Sequence, residues 1–276
     1  FNIHAGKTML VRKKCRTALL ILLMMGWNCH ENSSEFVREA SVDAILTTGP
    51  APQIIQIYYS TDKIDEAVDR ETLFVRDAQV FVKNAAQEIR FHYFVQRDTA
   101  FFDGSVFEMQ WFVDAPDSLR VVPGETFELL VETDAGVITG ETTVPGDFEM
   151  FQPAETSDFF TEQALNVSWS ASAGAAWYRV GVVRPPEEIV VSPDTSVFRR
   201  WTQYYETSET QTIIPEHVFF HAGTYDIFVE AFDENFRRFA VDGFDRGGVT
   251  GGYGLFGSKN VVKRVIEVRD GPPDLR

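Results

Sequence analysis

The segment that decides the fold is GTYDIFVEAF, which runs from Gly223 to Phe232. Every second residue from Tyr225 to Ala231 is apolar, whereas Asp226 and Glu230 occupy positions between them. Successive side chains of an extended chain point to opposite faces, so this alternation is typical of a β-strand with one buried face.

Similar short runs recur along the chain and are separated by turn residues. Thr126–Thr133 (TFELLVET) alternates in the same way, and Asp134–Gly136 follows it as a predicted hairpin turn. The chain has 276 residues, 44% hydrophobic and 13% aromatic, with 24 phenylalanines. This length suits two domains, and the composition favours pleated, half-buried surfaces. The sequence therefore predicts an all-β protein.

Residues 1–29 have the features of an export signal rather than of a folded domain. Four basic residues between Arg12 and Arg16 precede the nine-residue apolar run Ala18–Gly26, which is too short to span a bilayer. Cys29 follows directly, and Cys15 would be lost with the signal, so no internal disulfide is expected. We therefore expect lipidation at Cys29. The segment departs from the usual lipobox, so the alternative is ordinary cleavage with Cys29 incidental.

The second half of the chain resembles a fibronectin type III domain. The resemblance rests on Trp169 in a Leu-x-Val-x-Trp pattern, on Tyr178, and on Tyr225 in the segment quoted above. It implies that the tryptophan lies between two sheets and that the later tyrosine hydrogen-bonds backbone upstream of its strand. The first half is similar to immunoglobulin-like sandwiches of the carboxypeptidase-regulatory type, with cues in Val75–Val82 and Pro123–Thr133.

The order of features along the chain is similar to that of a family of uncharacterised Bacteroidota envelope lipoproteins. These features are the lipoprotein-like signal, the first sandwich and a Gly-Gly-x-Gly-x-Phe-Gly segment at Gly251–Gly257. The resemblance implies a location and an architecture, two tandem β-sandwiches after a signal segment, but no activity.

Changes of pattern set the predicted boundaries of these parts. Within the second sandwich we expect a long irregular insert over 187–208, a Gly-rich surface loop over 242–257 and a last strand over 259–268. The predicted parts are 1–29 upstream residues and signal peptide, 30–40 tether, 41–146 immunoglobulin-like sandwich, 147–164 connecting segment, 165–270 fibronectin type III-like sandwich and 271–276 tail.

The charge of the chain argues against nucleic acid as a partner. The formal net charge is −16, and residues 1–28 hold five basic and no acidic side chains. The remainder has 20 basic against 41 acidic residues, a net charge of −21. Such a body repels phosphate backbones, although the same charge also serves solubility.

No sequence motif for catalysis or metal binding stands out. The chain has no Gly-x-Ser-x-Gly elbow. His217 and His221 stand four apart in an expected turn before Gly223, which disfavours a zinc pair. The acidic loop that begins at Asp233 and includes Asp242 lacks the regular spacing of a calcium loop. We therefore expect no cofactor, no bound metal and no enzymatic activity. A hydrolase on a sandwich scaffold ranks third among the functions considered, after the two binding functions given below.

The predicted binding site is an aromatic cluster with basic neighbours inside the long insert. Tryptophan, tyrosine and arginine are enriched at protein interfaces, which favours a contact surface. The alternative is that these aromatic side chains pack locally or fill the seam between the sandwiches. The predicted site residues are Trp201, Tyr204, Tyr205, Arg199 and Arg200.

Together these features predict a non-catalytic cell-envelope lipoprotein that binds or scaffolds another envelope component, with a protein partner favoured. A glycan-binding accessory module is the alternative. Contact with the membrane is expected only through the lipid anchor, in an outer-membrane lipoprotein that faces the periplasm or the cell surface.

The anchor prediction is tested by Cys29→Ser, with Cys15→Ser as the control. We expect Cys29→Ser to abolish incorporation of an alkyne-tagged fatty acid and to release the protein into the soluble fraction, because the acylated thiol is removed. Cys15→Ser is expected to leave both unchanged. Lipid labelling that persists in Cys29→Ser would show that the anchor lies elsewhere.

Overall fold

The computed structural model describes residues 37–61, 73–99, 106–115, 118–154, 158–184, 187–192, 195–199 and 201–271. The chain divides into one unit over Phe1–Val37 and a second over Arg38–Arg276. The predicted signal segment, Cys29 and most of the tether lie outside the described residues, so the account below concerns the second unit.

The first sandwich consists of two sheets, here called its two faces, which are joined by one long strand, the fourth in chain order. Its strands are β1 (Ala40–Thr47), β2 (Ile54–Tyr59), β3 (Gln79–Lys83), β4 (Glu88–Thr99), β5 (Val106–Val113), β6 (Thr126–Thr133) and β7 (Gly136–Thr143). One face has the order β1-β2-β5-β4, and the other has the order β3-β6-β7. β4 pairs with β3 through its first residues and with β5 through its later ones. Alternate residues of both faces, such as Ile55, Phe112, Phe127 and Val131, are buried between them.

The remaining elements build a second sandwich and the junction. The strands are β8 (Met150–Gln152), β9 (Phe159–Phe160), β10 (Leu165–Trp169), β11 (Trp177–Val183), β12 (Glu187–Ser192), β13 (Thr195–Arg199), β14 (Thr202–Thr207), β15 (Gln211–Ile214), β16 (Gly223–Phe232), β17 (Arg246–Gly247), β18 (Val249–Thr250) and β19 (Tyr253–Arg269). A 3₁₀-helix spans Glu216–Val218, the short α-helix α1 spans Glu234–Phe236, and a π-helix spans Arg237–Val241.

The second sandwich packs a sheet of order β15-β10-β8 against one of order β14-β11-β16-β19. Trp169 and Tyr225 are buried in its core, as the sequence predicts. The Trp169 and Tyr178 rings lie 5.4 Å apart between centroids. The Tyr225 hydroxyl donates to the backbone oxygen of His221 at 2.9 Å, upstream of its own strand. The all-β prediction of two sandwiches is confirmed.

The prediction of an irregular backbone over 187–208 is wrong, because the described parts of this segment form three strands. β12 and β13 pair as an antiparallel hairpin, and β14 pairs with β11 as an added strand of the larger sheet. β14 alternates between exposed and half-buried residues. Because neither side of β14 is fully buried, its sequence TQYYET lacks the apolar alternation by which strands are recognised.

The last strand belongs to both sandwiches. From Tyr253 to Lys259, β19 runs parallel to β1 of the first sandwich, and from Lys259 to Val268 it runs antiparallel to β16 of the second. The strand therefore starts six residues earlier than predicted, inside the segment expected to be a Gly-rich surface loop.

The glycines of this segment permit close approach of two backbones. Gly254 has φ +102°, and a Cβ atom placed on it would lie 1.9 Å from the backbone oxygen of Val42 in β1. Gly252, Gly254 and Gly257 are buried. Only glycine fits this geometry, because it lacks the atom that would collide and tolerates positive φ.

A buried polar cluster fixes the same junction. Asp233, at the end of β16, accepts a hydrogen bond from the Thr142 hydroxyl of β7 at 2.5 Å and caps α1 by accepting from Phe236 N at 3.0 Å. The Ser258 hydroxyl of β19 lies 2.8 Å from that of Thr142. Burial raises the pKa of Asp233, and its hydrogen bonds oppose that shift.

Gly254→Ala tests the shared strand, with Gly49→Ala as a matched control. Both glycines have positive φ, +102° and +112°, but nothing lies within 4 Å of a Cβ on Gly49. Each alanine is expected to lower the free energy of unfolding by about 1–2 kcal/mol because of its left-handed backbone. Collision with Val42 should add about 2 kcal/mol at Gly254. Equal losses in urea unfolding would contradict the close packing of β1 and β19.

Asp233→Asn tests the buried carboxyl through its pH dependence. Because the pKa of Asp233 is higher in the folded than in the unfolded state, the protonated carboxyl stabilises the fold. This contribution is fully present below the unfolded-state pKa and is lost as pH rises through the folded-state pKa. The wild type should therefore lose stability relative to Asp233→Asn as pH rises from about 3.8 through the raised pKa, and the difference should then level off. Urea unfolding of both proteins between pH 4 and about 8 measures it. A pH-independent difference would refute the shift.

Candidate functional site

The outer face of the sheet β14-β11-β16-β19 carries an exposed aromatic surface near the predicted site. Strand register aligns Tyr204, Gly181, Phe228 and Lys263 in one row across the sheet. These residues point away from the core, because their strand neighbours on β11 and β16, such as Val180 and Val229, are buried inside it.

Gly181 allows Phe228 to lie flat across this row. A Cβ atom on Gly181 would lie 2.0 Å from Cζ of Phe228, so the ring occupies the space that a side chain would otherwise fill. The Tyr204 ring meets Phe228 edge to face, with centroids 6.0 Å apart. Tyr204 is nevertheless 51% exposed, so one side of a fixed ring faces solvent.

The neighbouring row holds a charge cluster packed against the same aromatic rings. The Arg179 guanidinium carbon lies 4.7 Å from the Tyr204 ring centroid and 4.9 Å from that of Phe232. Its Nε donates to Glu230 Oε2 at 2.6 Å, and Lys259 Nζ donates to Glu230 Oε1 at 2.5 Å. Glu230 is only 5% exposed, so its charge is buried between two cations. The three side chains together retain one positive charge.

Tyr205 faces the opposite way from Tyr204. It packs against the core of the second sandwich, opposite Val180. Within the part of the chain that the structure describes, its buried hydroxyl has no hydrogen-bond partner. Burial raises the pKa of Tyr205, and the charge of Arg184 partly opposes the shift. Tyr205 is therefore placed to support the fold.

Trp201 immediately precedes β14 and is 42% exposed. Its backbone oxygen accepts from Arg184 N at 2.9 Å, which ties the end of the hairpin back to β11. The Arg184 side chain donates from Nη2 to Gln203 Oε1 at 3.1 Å and lies over the Phe220 ring at 4.8 Å. Trp201 and Tyr204 are thus both accessible near one edge of the sheet.

The two predicted arginines are placed only in part. Arg199 ends β13, where its backbone pairs with Glu187, and its side chain lies outside what the structure describes. Arg200 lies outside the described residues altogether. Their contribution to a basic surface stays a prediction.

The histidines and the acidic loop are separate features in the structure. His217 and His221 are exposed around the 3₁₀-helix. Asp233 accepts hydrogen bonds at the junction, and the Asp242 carboxylate lies 3.5 Å from Arg237 Nε. Over the described ranges, no group of three or more His, Cys, Asp or Glu side chains is arranged to hold a metal ion.

Sequence reasoning missed Arg179, Phe228, Glu230 and Lys259. One signal was present: Phe228 stands in the solvent-facing register of GTYDIFVEAF, between Asp226 and Glu230. A large apolar side chain in that register indicates a covered or binding outer face. The pairing of Arg179 with Glu230 depends on strand register and could not be read from the sequence.

This fold and surface define an all-β protein of two sandwiches joined through a common strand, with exposed aromatic rings and an ion-pair cluster on the outer face of the second sandwich. The chain belongs to the family described as "Domain of unknown function (DUF4249)", whose model matches residues 33–244. The search of curated proteins gave no match.

Proposed function

We propose that this protein is a non-catalytic cell-envelope lipoprotein whose second sandwich binds a protein partner through the face around Tyr204. The observation that carries the proposal is the fixed, half-exposed Tyr204 ring, held by Phe228 on one side and Arg179 on another. A ring already held in place loses little conformational entropy when a partner covers it.

The composition of the surface supports a protein partner. Tyr204 and Arg179 on this face, and Trp201 exposed just before the same strand, are of the three residue types most enriched at interface hot spots. β14 pairs with β11 and with no other strand among the described residues, so its outer edge lies beside these side chains. An exposed edge offers backbone donors and acceptors to an added strand of a partner.

Charge gives this face a further preference. The cluster of Arg179, Glu230 and Lys259 keeps one positive charge, whereas the chain as a whole has a formal net charge of −16. Glu206 lies opposite Arg179 in the strand register and offsets this charge, so the face is close to neutral and repels an acidic segment less than the rest of the body does.

The envelope location rests on the signal-like leader and on Cys29. In the part of the chain that the structure covers, no helix is long and apolar enough to cross a membrane. In this proposal a lipid on Cys29 anchors the protein to the membrane.

Site-specific photocrosslinking tests the binding face. A photoreactive residue at position 204 should capture a specific partner from native membranes, whereas one at position 151 should not. Phe151 is a suitable control because it is 54% exposed on β8, in the opposite sheet of the same sandwich. Equal capture at both positions would contradict the assignment.

The purified partner then separates binding from stability. Tyr204→Ala is expected to raise the dissociation constant by about 30-fold, which corresponds to about 2 kcal/mol, with little change in melting temperature. Tyr205→Ala should instead lower the melting temperature by several degrees, because it opens a cavity in the core. Unchanged affinity in both Tyr204→Ala and Trp201→Ala would refute this face as the binding site.

A further inference from the structure

The outer edge of β14 lacks the features that usually prevent a strand edge from pairing. β14 is six residues long, pairs with β11 in regular register and contains no proline, lysine or arginine. The two edge strands of the opposite sheet are shorter, since β8 has three residues before Pro153 and β15 has four before Pro215. Short strands, basic side chains and prolines are common means of blocking an edge. β14 is therefore the edge of the second sandwich best suited to accept another strand.

The register with β11 shows which backbone groups of β14 are already used. Arg184 N donates to the backbone oxygen of Trp201 at 2.9 Å, and this pair continues the register of Val183 with Thr202. Hydrogen-bonded and non-bonded residue pairs alternate along an antiparallel ladder. The residues of β14 that bond β11 are therefore Gln203, Tyr205 and Thr207.

The other three residues of β14 direct their backbone N–H and C=O groups away from β11. These residues are Thr202, Tyr204 and Glu206, and all three are exposed. Among the described residues, no other segment pairs with this edge. An added strand would therefore meet a backbone donor and acceptor at every second residue, directly beside the Tyr204 ring.

Charges across the sheet indicate which side chains the added strand would carry. Glu206, Arg179 and Glu230 stand in one row by register, so negative and positive side chains alternate from the edge inward. Arg179 Nε already donates to Glu230 Oε2 at 2.6 Å. Opposite charges directly across a strand pair stabilise it, so a lysine or arginine is favoured beside Glu206. An aromatic or β-branched side chain is favoured beside Tyr204, where it covers the exposed part of the ring.

We propose that the partner adds one extended segment to the edge of β14 as an antiparallel strand. In this segment an aromatic or β-branched residue lies opposite Tyr204, and a lysine or arginine lies two positions away, opposite Glu206. Antiparallel pairing is slightly more stable than parallel pairing, and the formal net charge of −16 attracts a basic segment. The inference rests on the proposed binding face around Tyr204 and specifies how the partner is held there.

Photocrosslinking from the outward-facing residues tests the pairing. A photoreactive residue is placed in turn at positions 202, 204 and 206 of the full chain, and the crosslinked partner residues are located by mass spectrometry. Antiparallel addition should give partner residues two positions apart, in falling order from position 202 to position 206. Val265 is the control position, because it is 51% exposed on the same outer face but lies three strands from the edge. Position 265 should give no crosslink to this segment.

The pattern of crosslinks separates this inference from the proposed function. Crosslinks from position 204 that lack the two-residue spacing, or that reach the same segment from position 265, would overturn strand addition and leave the binding face in place. Rising order from position 202 to position 206 would show a parallel strand and also overturn the pairing proposed here. Equal capture at position 204 and at Phe151 would instead refute the binding face itself.

Two backbone esters measure the hydrogen bonds of this edge. An α-hydroxy acid with the tyrosine side chain removes an outward N–H at position 204, whereas at position 205 it removes an N–H that bonds β11. The probe is a capped synthetic peptide that copies the crosslinked segment. The ester at position 204 should raise its dissociation constant about tenfold, the loss expected for about one hydrogen bond. The ester at position 205 should weaken binding less and lower the melting temperature more. Unchanged affinity with the ester at position 204, together with weaker binding by Tyr204→Ala, would overturn strand addition and keep the binding face.

Discussion

The pairing of β1 with β19 is the constraint on which the rest of the structure depends. Gly254 brings the backbone of β19 against Val42, and the same strand then continues as the partner of β16. Two sandwiches that share a strand cannot turn freely about a linker, because rotation would break backbone hydrogen bonds on one side or the other.

Side chains around the crossing point make the junction specific. The Asn260 side chain accepts from the Thr48 hydroxyl at 2.8 Å and donates to the backbone oxygen of Gly146 at 2.8 Å. It therefore links β19 to the residue after β1 and to the segment after β7. Asn235 donates to the backbone oxygens of Glu141 and Phe256. The bonds of Asn260 and the bond from Asn235 to Phe256 are partly buried, so they satisfy polar groups that burial would otherwise penalise, and the junction tolerates few alternative arrangements.

The sequence predicted well what depends on local alternation and poorly what depends on distant partners. The strand over Gly223–Phe232, the burial of Trp169 and the Tyr225 bond to His221 all follow from short-range pattern and from the fibronectin type III resemblance. The glycines before Lys259 are typical of a loop in the sequence. Only the structure shows that a Cβ on Gly254 would lie 1.9 Å from the backbone oxygen of Val42, so that glycine is needed in a strand at this position. Tyr204 and Tyr205 are adjacent, yet only the register with β11 decides which one faces solvent.

The shared strand also sets the order in which the molecule is able to assemble. Thr48 and Asn260 are bonded although they are 212 positions apart. Contacts across so much intervening chain carry a large loop-closure cost and are slow to form. β1 therefore waits for its partner until residues 253–259 have been synthesised. Until then the first sandwich has an open edge, and a chaperone that covers this edge would protect the nascent protein from aggregation.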